Sequence, residues 1–218
     1  MAKTQEKTLT IPDLKLKTMR VRIRGLSPLI THKMSEKIKK ELRDKVQNKK
    51  TKQREAKNPE AEFNGARYRV DKHGQYADAG ADAVPAYTIK TAIVDAAKDI
   101  EGMTAAGTKR LLFVDLGKQG VPIQNGEGTF GLDLEPEMDE SIQRVGGKGP
   151  GTGTPDFRYR PIYRDWAMEF DVTYNAALLG DEEVISLINY AGFHQGLCEH
   201  RPGKSGGQNG MFQVEKVS

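Results

Sequence analysis

Cysteine and long apolar runs are nearly absent from this 218-residue chain. The single cysteine, Cys198, excludes an internal disulfide and is compatible with a reducing compartment. No apolar stretch approaches the roughly 20 residues of a membrane-spanning helix, and the polar N-terminus lacks the apolar region of a signal peptide. From these absences we expect a cytoplasmic protein with no membrane contact.

Metal and phosphate-loop motifs are also incomplete. His194, Cys198 and His200 lie close together in sequence, but a structural zinc ion normally has four ligands, and no second pair of cysteine or histidine lies nearby. Residues 203–207 (Gly-Lys-Ser-Gly-Gly) have most of their glycines after the lysine, and a strand pattern follows where a phosphate loop requires a helix. We therefore predict no metal and no other cofactor.

Positive charge is concentrated in one segment. The whole chain carries 34 basic and 30 acidic residues, whereas residues 33–57 carry eleven basic and four acidic ones. Met34, Ile38, Leu42 and Val46 recur every four residues and predict a helix over 34–48, followed by a solvated extension over 49–62. The segment is either a solvated face or a contact for phosphates. The candidate contacts are His32, Lys33, Lys37, Lys40, Arg43 and Lys45.

Apolar periodicity outlines the fold. Strands are predicted at 17–25, 111–116, 166–174 and 211–217, with helices from 85 to about 100 and from 181 to about 191. This is the split βαβ order of an α+β, ferredoxin-like (RRM-like) fold, with helices on one face of the sheet. We expect an N-terminal arm over 1–16 and a single domain over 17–218. Two long insertions interrupt that domain, a basic one at about 26–84 and a glycine-rich one at about 117–155.

Two arginine patterns are open to two interpretations each. Arg20, Arg22 and Arg24 share the polar face of the first strand, where they either receive single-stranded nucleic acid or pair with Glu169 and Asp171 on the third strand. Residues 157–164 alternate aromatics with arginines, as in a surface that stacks bases and holds phosphates, or as in a strand with core aromatics and solvated arginines. The candidate contacts here are Arg158, Tyr159, Arg160 and Arg164.

Residues 192–212 contain six glycines between the last helix pattern and the last strand pattern. Glycine allows another backbone to approach closely, so this stretch is either a plain connection or a loop that contacts a phosphate backbone. His200, Arg201 and Lys204 are its candidate contacts.

With this glycine-rich stretch in place, the chain resembles the RAMP superfamily of CRISPR-associated RNA-binding proteins. The resemblance rests on residues 192–212 and on the skeleton at 17–25, 85–116 and 166–217, and the long insertions look most like those of backbone subunits. It implies binding of single-stranded nucleic acid through the glycine loop and the insertions, with self-assembly along the strand. Residues 26–32 and 199–204 also resemble uncharacterised tailed-phage proteins, which would place the protein in a host cytoplasm.

The leading hypothesis is therefore a non-enzymatic, homo-oligomeric or filamentous binder of single-stranded RNA or DNA. One alternative is a metal-independent endoribonuclease of the RAMP type that uses His32 or His194. The other is a phage factor that binds or blocks a host nucleic-acid complex.

Overall fold

The computed structural model describes residues 13–47, 56–126, 134–146 and 152–218. Most of the predicted N-terminal arm and the first half of the predicted extension after residue 48 lie outside these ranges. The helices are α1 (Glu36–Val46), α2 (Pro59–Gly65), α3 (Ala86–Ala96), α4 (Ala105–Leu111), α5 (Asp181–His194) and α6 (Pro202–Ser205), with a 3-10 turn at Ala97–Asp99. The strands are β1 (Leu16–Gly25), β2 (Leu29–Ile30), β3 (Arg69–Val70), β4 (Ala81–Pro85), β5 (Leu112–Val114), β6 (Gly120–Asn125), β7 (Glu137–Gly146), β8 (Gly153–Tyr163), β9 (Trp166–Asn175) and β10 (Phe212–Val217).

The main sheet has the α+β topology that the periodicity predicts. Its strand order is β10-β1-β9-β6-β4-β3, and β5 also pairs with β9. Strands β1 and β9 are antiparallel neighbours, as expected, and Val21 lies opposite Phe170 on the buried face. The helices α3 and α5 pack on each other and supply Ile89 and Ile188 to the same core.

The polar face of this sheet is held by ion pairs. Arg20 lies opposite Asp171 in the register, and its Nη1 atom is 3.2 Å from the Asp171 carboxylate. Arg22 lies opposite Glu169 and also contacts Glu215 on β10 at 2.6 Å. The cross-strand pairing interpretation of these arginines is therefore confirmed.

The predicted second strand, 111–116, is observed as the shorter strand β5. Asp115 has a φ of 42° and exchanges hydrogen bonds with β9, after which the chain turns and resumes as β6. The prediction of one strand to Leu116 is wrong because this turn leaves the Leu116 side chain exposed. The pattern gave no sign of β6, since it falls within the glycine-rich insertion.

A second sheet, of order β2-β8-β7, accounts for much of that insertion. β7 and β8 form a long antiparallel hairpin in which Ile142 lies opposite Phe157. This hairpin is called the arm from here on and is distinct from the predicted N-terminal arm. Helix α2 packs against β8, and its N-terminus is capped by the Asn58 side chain, which accepts a bond from the Ala61 N–H. The predicted basic helix is confirmed as α1, whereas α2 falls where a solvated extension was expected.

No helix in the described part of the chain is long and apolar enough to cross a membrane.

Candidate nucleic-acid interface

The glycine-rich loop, residues 195–211, packs against the loop that follows β1. The Glu199 N–H donates to the Ile30 carbonyl at 3.0 Å, and the Gly210 N–H donates to the Pro28 carbonyl at 2.8 Å. The Met211 N–H completes the contact by donating to Ser27 Oγ at 3.0 Å. Two segments more than 160 residues apart thereby form one surface.

The glycines of this loop serve the packing of the loop on itself. A Cβ at Gly207 would lie 1.9 Å from the His200 carbonyl oxygen, and one at Gly210 would lie 2.0 Å from that of Leu197. Gly210 also has a φ of 69°, a left-handed conformation that favours glycine. Cys198 and His200 adopt positive φ as well, so the loop has a defined and tightly folded backbone. It is not a plain extended connection.

A cleft of about 330 Å³ opens between this loop, the loop after β1 and the start of α3. Its lining gathers aromatic, cationic and acidic side chains from four parts of the chain, among them His32, Tyr68, Tyr87, Glu199, Arg201 and Lys204. Four of these six residues, His32, Glu199, Arg201 and Lys204, belong to the two loops singled out in the sequence. Of the predicted contacts in these loops, His32, Arg201 and Lys204 therefore lie around one cleft, whereas Lys33 and His200 do not line it.

Tyrosines form one wall of the cleft. Tyr68 and Tyr87 both line it, and the Tyr68 ring centroid lies 5.8 Å from that of Tyr76. Burial raises the pKa of Tyr68 well above its usual range, while Tyr87 stays 65% exposed at the mouth of the cleft. The sequence pattern did not select these residues. Three of the seven tyrosines fall between residues 68 and 87, and that clustering is the signal that could have found them.

The cationic side of the cleft is oriented by the loop. The Arg201 Nη1 atom donates to the Gln195 carbonyl at 3.2 Å, and Lys204 Nζ lies 3.4 Å from Glu199. Burial lowers the pKa of His32, Glu199 raises it, and nearby cations including Arg158 and Lys204 lower it further. His32 therefore enters the cleft as a neutral imidazole near neutral pH.

Arg160 lies beneath this surface instead of on it. Its side chain is 1% exposed, and its Nη2 atom donates to Asp139 at 2.8 Å and to Ser141 at 2.7 Å. The same atom is 3.1 Å from His200 Nε2, which links the arm to the glycine-rich loop. A guanidinium buried in this way supports the surface, so Arg160 does not fit the prediction of direct contact. His200 is half-buried, and direct contact by its side chain stays a prediction.

The other predicted contacts in residues 157–164 differ in exposure. Arg158 is half-buried beside Asp156 at 3.0 Å, and Arg164 is exposed and paired with Glu137 at 2.9 Å. The Tyr159 ring stacks on Phe157 with centroids 6.4 Å apart. The positive charge of Arg158 contributes to lowering the pKa of His32.

The basic helix contributes to a separate surface. Lys40 and Arg43 are exposed on α1, where Glu36 pairs with Lys39 at 2.6 Å and with Arg43 at 3.5 Å. Lys37 and Lys45 lie on the same helix, and Lys33 precedes it, held through a backbone bond to Ala66 at 2.9 Å. Among the described residues, none of α1 lines the cleft. Phosphate contact by these lysines and by Arg43 stays a prediction.

The histidines and the cysteine are likewise separated. His194 stacks on Tyr190 with centroids 4.0 Å apart, and His200 faces Arg160. Burial raises the pKa of the Cys198 thiol to about 12, so it remains protonated in the cleft. Across the ranges that the structure covers, no three His, Cys, Asp or Glu side chains are grouped to hold a metal ion.

Together the strand order of the antiparallel main sheet and the paired helices α3 and α5 define a mixed α+β fold. The chain is similar to one in the cryo-EM structure of the Type III-B Cmr-beta bound to cognate target RNA, with a TM-score of 0.51 and 12% identity over 94% of this chain. It spans 60% of the length of that neighbour. A second similar structure is Cmr6 from Pyrococcus furiosus, with a TM-score of 0.44 and 11% identity, covering 93% of this chain and 100% of that one. No family model and no curated protein matches the sequence.

Proposed function

We propose that this protein is a non-enzymatic binder of single-stranded nucleic acid, with the cleft as its central contact. The observation that carries the proposal is the meeting of Tyr87 with Arg201 and Lys204, which come from distant parts of the chain. An aromatic platform beside a cationic groove holds single strands without sequence preference, because every base can stack and every nucleotide has a phosphate.

The residues divide into three roles. Tyr87 offers an exposed ring to a base. Arg201 and Lys204 contact the phosphates on either side of that base. The α1 cations, from Lys33 to Lys45, hold phosphates further along the strand, where charge alone is sufficient.

RNA is the first probe to use. The structure of Cmr-beta, which contains a chain similar to this one, was determined with bound target RNA. RNA is therefore tested first. Comparison of oligouridine, oligothymidine and a duplex of the same length identifies the preferred nucleic acid for this chain.

The test measures fluorescence anisotropy of a labelled oligouridine with the full chain over a series of salt concentrations. Arg201→Ala with Lys204→Ala should weaken binding and reduce the slope of log K against log salt by about 2, since each of the two cations neutralises one phosphate. Tyr87→Ala should weaken binding about tenfold at all salt concentrations, because the stacking of a base on a ring does not depend on salt.

Lys109→Ala with Arg110→Ala is the matched control. Both residues are exposed basic side chains on α4, and neither lines the cleft. If this pair weakened binding as much as the cleft pair did, or if the wild type bound no single strand at low salt, the proposed function would be wrong.

A further inference from the structure

Glu199 is the one acidic side chain among the described residues that line the cleft. A carboxylate repels phosphates and would weaken their binding to the neighbouring cations. Its presence in the cleft therefore suggests a role other than phosphate contact. Its side chain is 26% exposed, and it lies between Lys204 at 3.4 Å and Arg160 at 4.0 Å. The Glu199 side chain thus contacts one cation of the glycine-rich loop and one of β8.

The backbone also holds Glu199 in place. Its N–H is bonded to the Ile30 carbonyl at 3.0 Å, and both of its neighbours, Cys198 and His200, are in left-handed conformations. A backbone so constrained presents the same side chain in the same direction to each ligand. The backbone of Glu199 is thus held in a fixed position at the cleft.

The carboxylate keeps acceptor capacity for a ligand. Its two ion pairs are longer than the roughly 2.7–2.9 Å of an optimal charge-assisted hydrogen bond. Each carboxylate oxygen accepts about two bonds, so pairing with Lys204 and Arg160 leaves further lone pairs. A donor pair with the spacing of the two oxygens can therefore bind without displacing either cation.

Among the four RNA bases, guanine has the donor pair that fits. Its Watson–Crick edge presents an N1–H beside an N2 amino group, and both point the same way. Uracil has a single N3–H, while adenine and cytosine place a ring acceptor next to their one amino group, which would face the second carboxylate oxygen. Unstacked bases in single strands are read on this edge.

The rest of the cleft suits one base. Tyr87 supplies an exposed ring, Thr88 and Thr91 supply hydroxyls that donate or accept, and His32 is a neutral imidazole. A volume of about 330 Å³ is at the small end of ligand pockets, enough for one nucleotide and too small for a stack of several.

We infer that the cleft binds one unstacked guanine base, with Glu199 accepting hydrogen bonds from N1–H and N2–H while Arg201 and Lys204 hold the adjacent phosphates. This inference rests on the proposed function and adds base selectivity to it at one position of the strand.

The experiment uses the full chain and four labelled oligonucleotides that differ at one position. Oligouridine with a single central guanosine is compared with the same oligomer carrying adenosine, cytidine or uridine there. We expect about tenfold tighter binding of the guanosine oligomer, as for one good bidentate pair. Glu199→Gln, of the same shape, should abolish the preference for guanosine over the other three bases.

Glu101→Gln serves as the control, since Glu101 is exposed and does not line the cleft. Thermal unfolding of each variant shows whether it is folded, and the wild-type series alone decides the question if Glu199→Gln is not. Equal affinity for the four oligomers would overturn the guanine inference and leave the proposed function intact, with Glu199 only neutralising its cations. A preference that persists in Glu199→Gln would overturn the role of Glu199, and no binding to any oligomer would overturn the proposed function itself.

Discussion

At the scale of single residues, Gly192 shows how a glycine can be misread from sequence. Its position after the apolar residues of the last helix predicts a helix stop at 191, but α5 continues to His194. Gly192 lies inside the helix because β10 passes against it, and a Cβ there would be 2.0 Å from the Phe212 carbonyl oxygen. The glycine is required by close packing of helix on strand and not by a turn.

Gly192→Ala should therefore lower the free energy of unfolding by about 1–3 kcal/mol, since backbone must shift to admit the methyl group. The matched control is Gly65→Ala in α2, where the nearest atom to an added Cβ is Ser35 Cβ at 3.8 Å. That change should be neutral or stabilising by up to about 1 kcal/mol, because alanine favours helix more than glycine does. Urea denaturation of both variants checks the pair, and equal destabilisation would contradict this account of Gly192.

At the scale of elements, the arm is joined to the domain by a buried arginine. The alternation in residues 157–164 predicts an extended segment, and β8 confirms it. The same alternation places Arg160 with the solvated arginines, whereas the structure buries it against Asp139 and His200. Local pattern assigns a residue to a face of a strand, but which face is covered depends on the glycine-rich loop folding over it.

Arg160→Met should loosen the arm. The change leaves Asp139 and Ser141 without their shared donor, which costs about 1–3 kcal/mol, and it removes the link to His200. Backbone amides of β7 and β8 should then exchange hydrogen faster, as measured by mass spectrometry.

Arg164→Met removes an arginine of the same arm whose pair with Glu137 is 63% and 59% exposed on the two side chains. Exposed pairs contribute little to stability, so exchange should stay near the wild-type rate. Similar exchange in the two variants would show that Arg160 is not the anchor of the arm.

At the scale of the whole molecule, affinity for nucleic acid has to come from local surfaces. The net charge is only +4, and the arginines of the sheet face are already paired with Glu169, Asp171 and Glu215. The cleft and α1 are separate basic surfaces of one chain. A strand that passes from the cleft toward α1 would use both, and copies bound in series along it would form the assemblies that the resemblance in sequence implies.

A long oligouridine should consequently collect several copies, whereas one long enough only for the cleft should bind a single copy. Sedimentation velocity with strands of increasing length should show complexes that grow with length, and electron microscopy should show their form. Arg201→Ala with Lys204→Ala should suppress the growth. One copy bound at every strand length would contradict self-assembly while leaving binding itself in place.

Sequence alone determined the elements with strong local periodicity. The alternation in β1 and β9 and the apolar faces of α3 and α5 reflect which side of each element meets the core, and the residues of the element itself show that pattern. The positive charge of α1 can be counted directly from the sequence. These patterns were enough for the α+β class, and they made the pairing of Arg20 with Asp171 one of two interpretations, between which the structure decided.

Only the tertiary structure decided how the cleft is built. Its two loops are more than 160 residues apart, its tyrosines follow no period, and its glycines pack against backbone that no local pattern identifies. Contacts of this kind depend on strand register and loop closure across the whole chain, so they cannot be predicted from the residues that are adjacent in sequence. For that reason Arg201 and Lys204 could be named from sequence, while Tyr87 beside them and the buried position of Arg160 beneath them could not.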